Sequence, residues 1–145
     1  MQDLKILITG SDGMLGSQFA SDLKNFFSIF TLPKGIDIRI ENPLKDELQK
    51  INPDIIIHTA AYTDVDGCEL DPNKAYQANV VGTENIVKFC RLINENTKLI
   101  FISSTGIYGD NSINNYSEDD TPQPTTIHHK NKLEAENIIR NNLHN

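Results

Sequence analysis

The segment that most constrains this chain is Thr9-Gly10-Ser11-Asp12-Gly13-Met14-Leu15-Gly16, three glycines between an apolar run and the start of a helical pattern. Leu4 to Thr9 reads as a strand buried on both faces. From Met14 to Phe27 the residues Leu15, Phe19, Leu23 and Phe26 recur at helical spacing. A strand turning into a helix opens a βαβ unit. Glycines in that turn permit unusual φ, close approach of backbone to a diphosphate, and tight packing of helix on strand. The helix N-terminus adds unpaired N–H groups and positive dipole character. A glycine triplet alone also fits an ordinary strand–helix turn, and the strand before it and helix after it are what favour a dinucleotide.

The rest of the chain repeats the alternation. Ser28 to Leu32 reads as a second strand, and Asn42-Pro43 as an N-cap and first-turn proline ahead of a helix with Leu44, Leu48 and Ile51 on one face. Asp54 to Thr59 follows the Asn52-Pro53 turn as a third strand. Asp71-Pro72 starts a helix carrying Ala75, Ala78, Val81, Ile86, Phe89 and Leu92 to about Ile93, with Gly82 marking a close approach or a bend. Lys98 to Ser103 is a fourth strand, Thr105 to Thr126 a long polar loop, and Ile127 to Leu143 a final helix. This pattern predicts an α/β chain with a Rossmann-like, doubly wound parallel sheet, one domain over 1–145.

At 145 residues a single core is expected, and 38% hydrophobic with 23% charged residues is the balance of a soluble globular protein. No apolar run reaches bilayer length, and Met1-Gln2-Asp3-Leu4-Lys5 lacks a signal-peptide pattern, so the expectation is cytoplasmic. A net charge of -7 argues against nucleic acid and anionic membrane as partners, while a small anionic cofactor can still be held by local N–H donors. Cys68 and Cys90 lack metal-ligand spacing and read as free thiols. Asp64, Asp66, Glu69 and Asp71 read as a solvated loop and helix start, so no metal is expected. In NAD-specific folds an acid at the end of the second strand binds the ribose; Thr31-Leu32-Pro33-Lys34 offers none. Lys34 there meets a 2′-phosphate or is simply a solvated loop lysine, a mild tilt to NADP(H).

Longer stretches are more specific. His58-Thr59-Ala60-Ala61-Tyr62-Thr63-Asp64-Val65-Asp66-Gly67-Cys68-Glu69, Asn79-Val80-Val81-Gly82-Thr83-Glu84-Asn85, Ser103-Ser104-Thr105-Gly106-Ile107-Tyr108-Gly109 and Tyr116 to Pro124 follow in one register. Together with the glycine loop they resemble the extended short-chain dehydrogenase/reductases of the sugar-nucleotide type, in particular the dTDP-4-dehydrorhamnose reductases. The resemblance covers almost the whole chain. It implies NAD(P)H-dependent reduction of a 4-keto-6-deoxy sugar nucleotide, with NADP(H) or NAD(H) as cofactor, in deoxysugar or polysaccharide precursor synthesis. Carried over, Gly10, Gly13, Met14, Leu15 and Gly16 meet the diphosphate, Asp37 and Ile38 border the adenine, and Ala60, Ala61 and Tyr62 line the groove. Ser104 takes the position whose hydroxyl polarises the substrate carbonyl, and Lys132 that of the lysine holding the nicotinamide ribose. Ala60, Ala61 and Ile38 also read as core, Ser104 as a strand-end cap and Lys132 as a surface charge.

Two departures stand out. The family's Tyr-x-x-x-Lys pair shares one helical face, but here the frame is His128-His129-Lys130-Asn131-Lys132, with histidine in the tyrosine position. Histidine donates a proton only as imidazolium, and a neighbouring cation depresses its pKa from about 6.5, so the acid form is scarce at neutral pH. Relatives also continue beyond this helix into a C-terminal substrate-binding part, expected to be absent here, which would leave a sheet edge for a homodimer or a partner protein to cover. Two further readings stay open: a non-catalytic dinucleotide-binding protein like the methionine adenosyltransferase regulatory subunit, and a sugar-nucleotide epimerase or dehydratase.

Overall fold

Alternation within the strands sets two layers of helices on one sheet. In β1 (Lys5–Thr9) and β3 (Ile55–His58), Ile6, Ile8 and Ile57 point to one face, and Leu7 and Ile56 to the other. The first face packs on Phe19, Ala20 and Leu23 of α1 (Met14–Leu23). The second packs on Leu44, Leu48 and Ile51 of α2 (Glu41–Ile51) and Ile86, Phe89 and Cys90 of α5 (Gly82–Leu92). Burying such a side chain fully stabilises the fold by roughly 1.5–3 kcal/mol. The structure is a computed structural model that describes residues 4–109 and 115–143. The sequence start at Met1-Gln2-Asp3, the middle of the predicted long loop at 110–114, and 144–145 lie outside the described residues.

The four strands are parallel in the order β2-β1-β3-β4, with β2 at Ser28–Thr31 and β4 at Lys98–Phe101. The chain leaves β1 toward β2 and returns past it to β3, so the order reverses between β1 and β3. Open parallel sheets bind ligands in the crevice that this reversal leaves at the strands' carboxyl ends. Thr9 and His58 sit side by side there. The Rossmann-like α/β architecture read from the sequence is the observed one. On the α1 face β4 is an open edge, with Ile100 48% exposed. No helix among the described residues is long and apolar enough to cross a membrane.

Several boundaries differ from those expected. α1 ends at Leu23, and the chain turns because both Phe26 and Phe27 N–H bond Leu23 O; Phe26, counted as a packing position, is 74% exposed. α2 begins at Glu41 with Ile40 as its N-cap, which puts Pro43 inside the first turn, where its missing N–H has no helical partner to lose. A six-residue helix, α3 (Val65–Leu70), was not foreseen. The helix expected over 71–93 is α4 (Pro72–Tyr76), a π-helical turn (Gln77–Val81) and α5. At Gly82 an added Cβ would lie 2.6 Å from Ile38 Cδ1, the close approach the glycine announced. β4 stops at Phe101 rather than Ser103, although Ile102 N–H still bonds His58 O. A 3-10 turn (Thr105–Tyr108) occupies the start of the expected loop, and the last helix, α6, runs Ile127–Asn142 behind a Thr126 cap.

Three of the four acidic residues, Asp64, Glu69 and Asp71, cap helices. Asp64 accepts from Gly67 N at the head of α3, Asp71 from Lys74 N at the head of α4, and Glu69 from Ile127 N at the head of α6. Cys68 and Cys90 are free and buried, with their thiol pKa raised chiefly by burial, that of Cys90 to about 12.

Candidate active site

The glycines divide their labour. Gly10 has φ +68°, and an added Cβ would stand 2.7 Å from the Ala60 backbone. At Gly16 it would collide with Gly10 O. Both are required by the fold. Gly13 is exposed, has extended φ, and its added Cβ would meet only Gly10 O at 3.2 Å; what it keeps open is space above α1. Gly13 is the N-cap of α1 and offers no side-chain hydrogen bond, and the first turn carries no acid, so the first N–H groups of α1 face that space.

The space is a cavity of about 500 Å³. Its floor is Gly10, Gly13, Met14, Leu15 and Gly16, and its far wall is Thr59, Ala60, Ala61, Ser104, His128 and Lys132. A second cavity of about 840 Å³ shares Gly10 and Ala60 with the first and extends past Lys34, Asp37 and Ile38. One groove therefore runs over the carboxyl ends of β2, β1 and β3. Asp37 is tied to Arg39, whose Nε and Nη2 both reach its carboxylate, and this holds the carboxyl below its usual range. Asn85 Nδ2 donates to Ile38 O and fixes that strip of chain against α5. Of the residues expected to meet a dinucleotide, Tyr62 alone lines neither cavity: its hydroxyl adjoins Gly67, and its ring lies 4.3 Å below the Lys74 ammonium. Thr59, Thr63, Ile102 and Ser103 line the first cavity without having been singled out; Thr59 and Thr63 flank the Ala60-Ala61-Tyr62 segment, which was the signal for them.

At the end of the groove away from Lys34, Ser104 caps the 3-10 turn by accepting from Gly106 N at 3.2 Å, and among the described residues its own O–H donates to no partner. Ser103 Oγ beside it is buried with no hydrogen-bond partner. Lys132 is 5% exposed; its Nζ donates to Ile102 O at 2.8 Å and lies 4.6 Å over the Phe101 ring. Burial pulls its pKa down to about 8, against a smaller opposing pull from Glu136. His128 is 6% exposed and bonds Tyr62 O through Nδ1 at 3.2 Å. Its pKa is lowered, first by burial and then by Lys132 and His129, against the Tyr62 hydrogen bond. The His129 ring packs where a Cβ on Gly106 would be, so the turn carrying Ser104 and the helix carrying His128 and Lys132 are locked together.

A buried polar chain links this helix to the glycine loop. Thr83 Oγ1 donates its one proton to Asn79 O, so it accepts from His58 Nε2 at 3.0 Å. Burial pushes the His58 pKa down to about 3, so the ring is neutral and its Nδ1 accepts from Thr9 Oγ1 at 2.7 Å. Thr9 Oγ1 in turn accepts from Ala60 N. At the other end the Asn79 side chain, offered by the π-helical turn, accepts from Tyr62 N and donates to Tyr62 O, the carbonyl that holds His128.

Comparison with known proteins gives the arrangement a family. A family profile described as "RmlD substrate binding domain" matches residues 4–145. The spore coat polysaccharide biosynthesis protein SpsK of Bacillus subtilis is 30% identical over 94% of this chain and 48% of its own length. The dTDP-4-dehydrorhamnose reductase of Aggregatibacter actinomycetemcomitans is 28% identical over 93% of this chain and 46% of its own. Methionine adenosyltransferase 2 subunit beta of Bos taurus is 30% identical over 96% and 44%. Among solved structures, dTDP-4-dehydrorhamnose reductase from Bacillus anthracis in complex with NADP superposes with TM-score 0.92, at 30% identity over 99% of this chain and 51% of that one. Thermus thermophilus UDP-glucose 4-epimerase complexed with NAD gives 0.85, at 25% identity over 94% and 50%. This chain thus spans about half the length of the relatives it matches. With a profile covering 4–145 and that superposition, the chain belongs to the RmlD substrate-binding-domain family, the family of the dTDP-4-dehydrorhamnose reductases.

Proposed function

We propose that the groove binds a nicotinamide dinucleotide, NADP(H) or NAD(H), and that this chain is the cofactor-holding part of a reductase acting on a 4-keto-6-deoxy sugar nucleotide. The observation that carries the reading is the shared wall: one cavity brings the glycine loop and the uncapped end of α1 together with Ser104, His128 and Lys132. The groove suits an extended dianion at its centre, because Gly13 leaves open space where α1 presents N–H groups. Lys34 stands at the far end, where a ribose 2′-phosphate would need a cation.

Each side chain has a task in such a site. The dinucleotide, when bound, supplies the hydride. Ser104 donates its free O–H to the substrate carbonyl oxygen. Lys132, fixed by Ile102 O and Phe101, directs its remaining N–H bonds to ribose hydroxyls. His128 can pass a proton to the carbonyl oxygen only as imidazolium, so reduction by this chain should be slow at neutral pH and accelerate in acid.

Titration of the purified chain with NADPH and NADH by calorimetry tests the binding. Saturable binding that Gly13→Val abolishes while the fold survives is the expected result; a folded chain that binds neither form overturns the reading. The bovine regulatory-subunit relative and the histidine in the tyrosine position favour a second reading, a dinucleotide-binding protein without turnover. Consumption of NAD(P)H with a 4-keto-6-deoxy sugar nucleotide separates the two, and its net oxidation also separates a reductase from an epimerase.

A further inference from the structure

A carbonyl oxygen can only accept, so the 3.2 Å contact from His128 Nδ1 to Tyr62 O requires the proton on Nδ1. In the neutral ring, Nε2 is then a bare lone pair. Among the described residues Nε2 makes no hydrogen bond, and the buried side-chain polar atoms left without a partner are Ser103 Oγ and Asn131 Nδ2, so Nε2 keeps accessible surface on a ring that lines the cavity. The contact is built. Tyr62 O is held by Asn79 Nδ2 at 3.0 Å, with Cys68 Sγ 3.6 Å away, and Tyr62 N by Asn79 Oδ1 at 2.7 Å.

We propose that His128 faces the groove as a hydrogen-bond acceptor, so that near neutral pH the site takes the hydroxyl form of its sugar at this position in preference to the carbonyl form. A hydroxyl meets Nε2 with its proton, whereas a ketone oxygen would meet it lone pair to lone pair. The proposal rests on the dinucleotide reading of the groove, with the oxidised dinucleotide as co-reactant. In that direction the O–H bond breaks and its proton goes to Nε2, the C–H bond breaks and its electron pair leaves as hydride to the oxidised nicotinamide, and the C=O bond forms. The reverse needs His128 protonated first.

The charges around the ring agree with a neutral imidazole. Lys132 and His129 on its own helix both work against protonation. From α4, Lys74 sits over the Tyr62 ring, 4.3 Å from its centroid. His58 of β3 is neutral, and the nearby carboxylate of α3, Glu69, is engaged with Ile127 N. The 3-10 turn brings no charged side chain, only Gly106 against His129.

Nitrogen-15 NMR of the imidazoles in the whole chain decides the matter. His128 is assigned by through-bond connectivity in the wild type and by the resonance lost in His128→Gln. The expected result is Nδ1 protonated and Nε2 bare at pH 7, with a midpoint below about 6.5. A protonated Nε2 at pH 7, as the other tautomer or as imidazolium, overturns the proposal. Adding NADP⁺ should lower the midpoint further than NADPH does, because a cationic ring beside Nε2 opposes a second positive charge; His58, sealed on both sides, should not move. If both forms bind and the two midpoints coincide, Nε2 does not face the reacting end and the proposal fails. If neither form binds while Nε2 is bare, the dinucleotide reading falls and the acceptor assignment stands.

Discussion

His58 and His128 are both buried, at 1% and 6% exposed, and in both burial is the first cause of a lowered pKa. They differ in how many nitrogens the protein occupies. His58 has both in use, Nδ1 accepting from Thr9 and Nε2 donating to Thr83. His128 has one in use and one without a partner among the described residues, on a ring that lines the cavity. A satisfied ring is a structural bolt, whatever its pKa, and a ring with one open atom can exchange a proton with a ligand. Burial and a shifted pKa alone would have ranked His58 as the more active residue; the hydrogen-bond count reverses the order.

The largest effect that tests this contrast is on stability. His58→Leu removes two buried hydrogen bonds and leaves Thr9 Oγ1 and Thr83 Oγ1 each short of a partner, at a cost of about 2–4 kcal/mol. His128→Leu removes one bond to a carbonyl that Asn79 still serves and should cost about 1 kcal/mol. Urea unfolding of both variants at pH 7.5 measures the difference. Equal losses would mean that His128 is as structural as His58, and the contrast would be broken.

The next effect is the pH dependence of stability. His58 is neutral in the fold down to about pH 3, while in the unfolded chain a histidine takes up its proton near 6.5. Below 6.5 the unfolded state binds more protons, so stability is fully present above that value and is lost as pH falls toward 3. The slope from this one group approaches about 1.4 kcal/mol per pH unit, before carboxylates begin to titrate. His128 adds to the slope in the same direction, since its folded pKa is also lowered. Urea midpoints should hold between pH 7.5 and about 6.5 and then fall toward pH 5 in the wild type, and fall less in His58→Asn. A flat profile would show that His58 is protonated in the fold and that the bolt is not neutral.

Much of this was legible in the sequence, and the failures have physical causes. The strands were found because residues such as Ile55, Ile56 and Ile57 form unbroken apolar runs, which a sheet covered on both faces requires. The glycine loop was found because Gly10 and Gly16 allow no Cβ. α3 was missed because six residues hold too little periodicity to register, although Asp64 was there to cap it. The π-helical turn was missed because five residues are too few to show a period of their own between two helical segments; its Asn79 side chain bonds the Tyr62 backbone. Ser104, His128 and Lys132 were legible as a set only through a shared register, and the structure brings all three to one cavity. The tautomer of His128 was not legible at all, because it depends on a carbonyl 66 positions away in the chain.

A smaller effect isolates the support behind His128. Asn79→Ala takes two hydrogen bonds from the Tyr62 backbone and leaves its N–H, a half-buried group, without that partner, at about 1–3 kcal/mol. His58 lies on the far side of Thr83 from this change and keeps both of its bonds, because Thr83 donates to the main-chain oxygen of residue 79, which the substitution retains. The Tyr62 carbonyl, by contrast, loses its strongest anchor. The His128 resonances should broaden or shift in the variant while those of His58 stay in place. If both rings move together, the two histidines belong to one cooperative network and the division between bolt and open ring has to be redrawn.

The smallest effect concerns the head of the helix that carries His128. Glu69 reaches from α3 to accept from Ile127 N at 2.7 Å, one residue before His128. The carboxylate is exposed, so solvent screens it, and Thr126 caps the same helix end by accepting from His129 N. Glu69→Gln keeps a hydrogen-bond acceptor and removes only the charge, so about 0.5 kcal/mol of stability should be lost, and less at high salt. Losing a nearby negative charge disfavours the imidazolium, so the His128 midpoint should move down by a small amount and the His58 midpoint not at all. A rise in the His128 midpoint would mean that Glu69 acts through helix position rather than through its charge, and α6 would then have to be less firmly seated than its locks to Gly106 and Tyr62 imply.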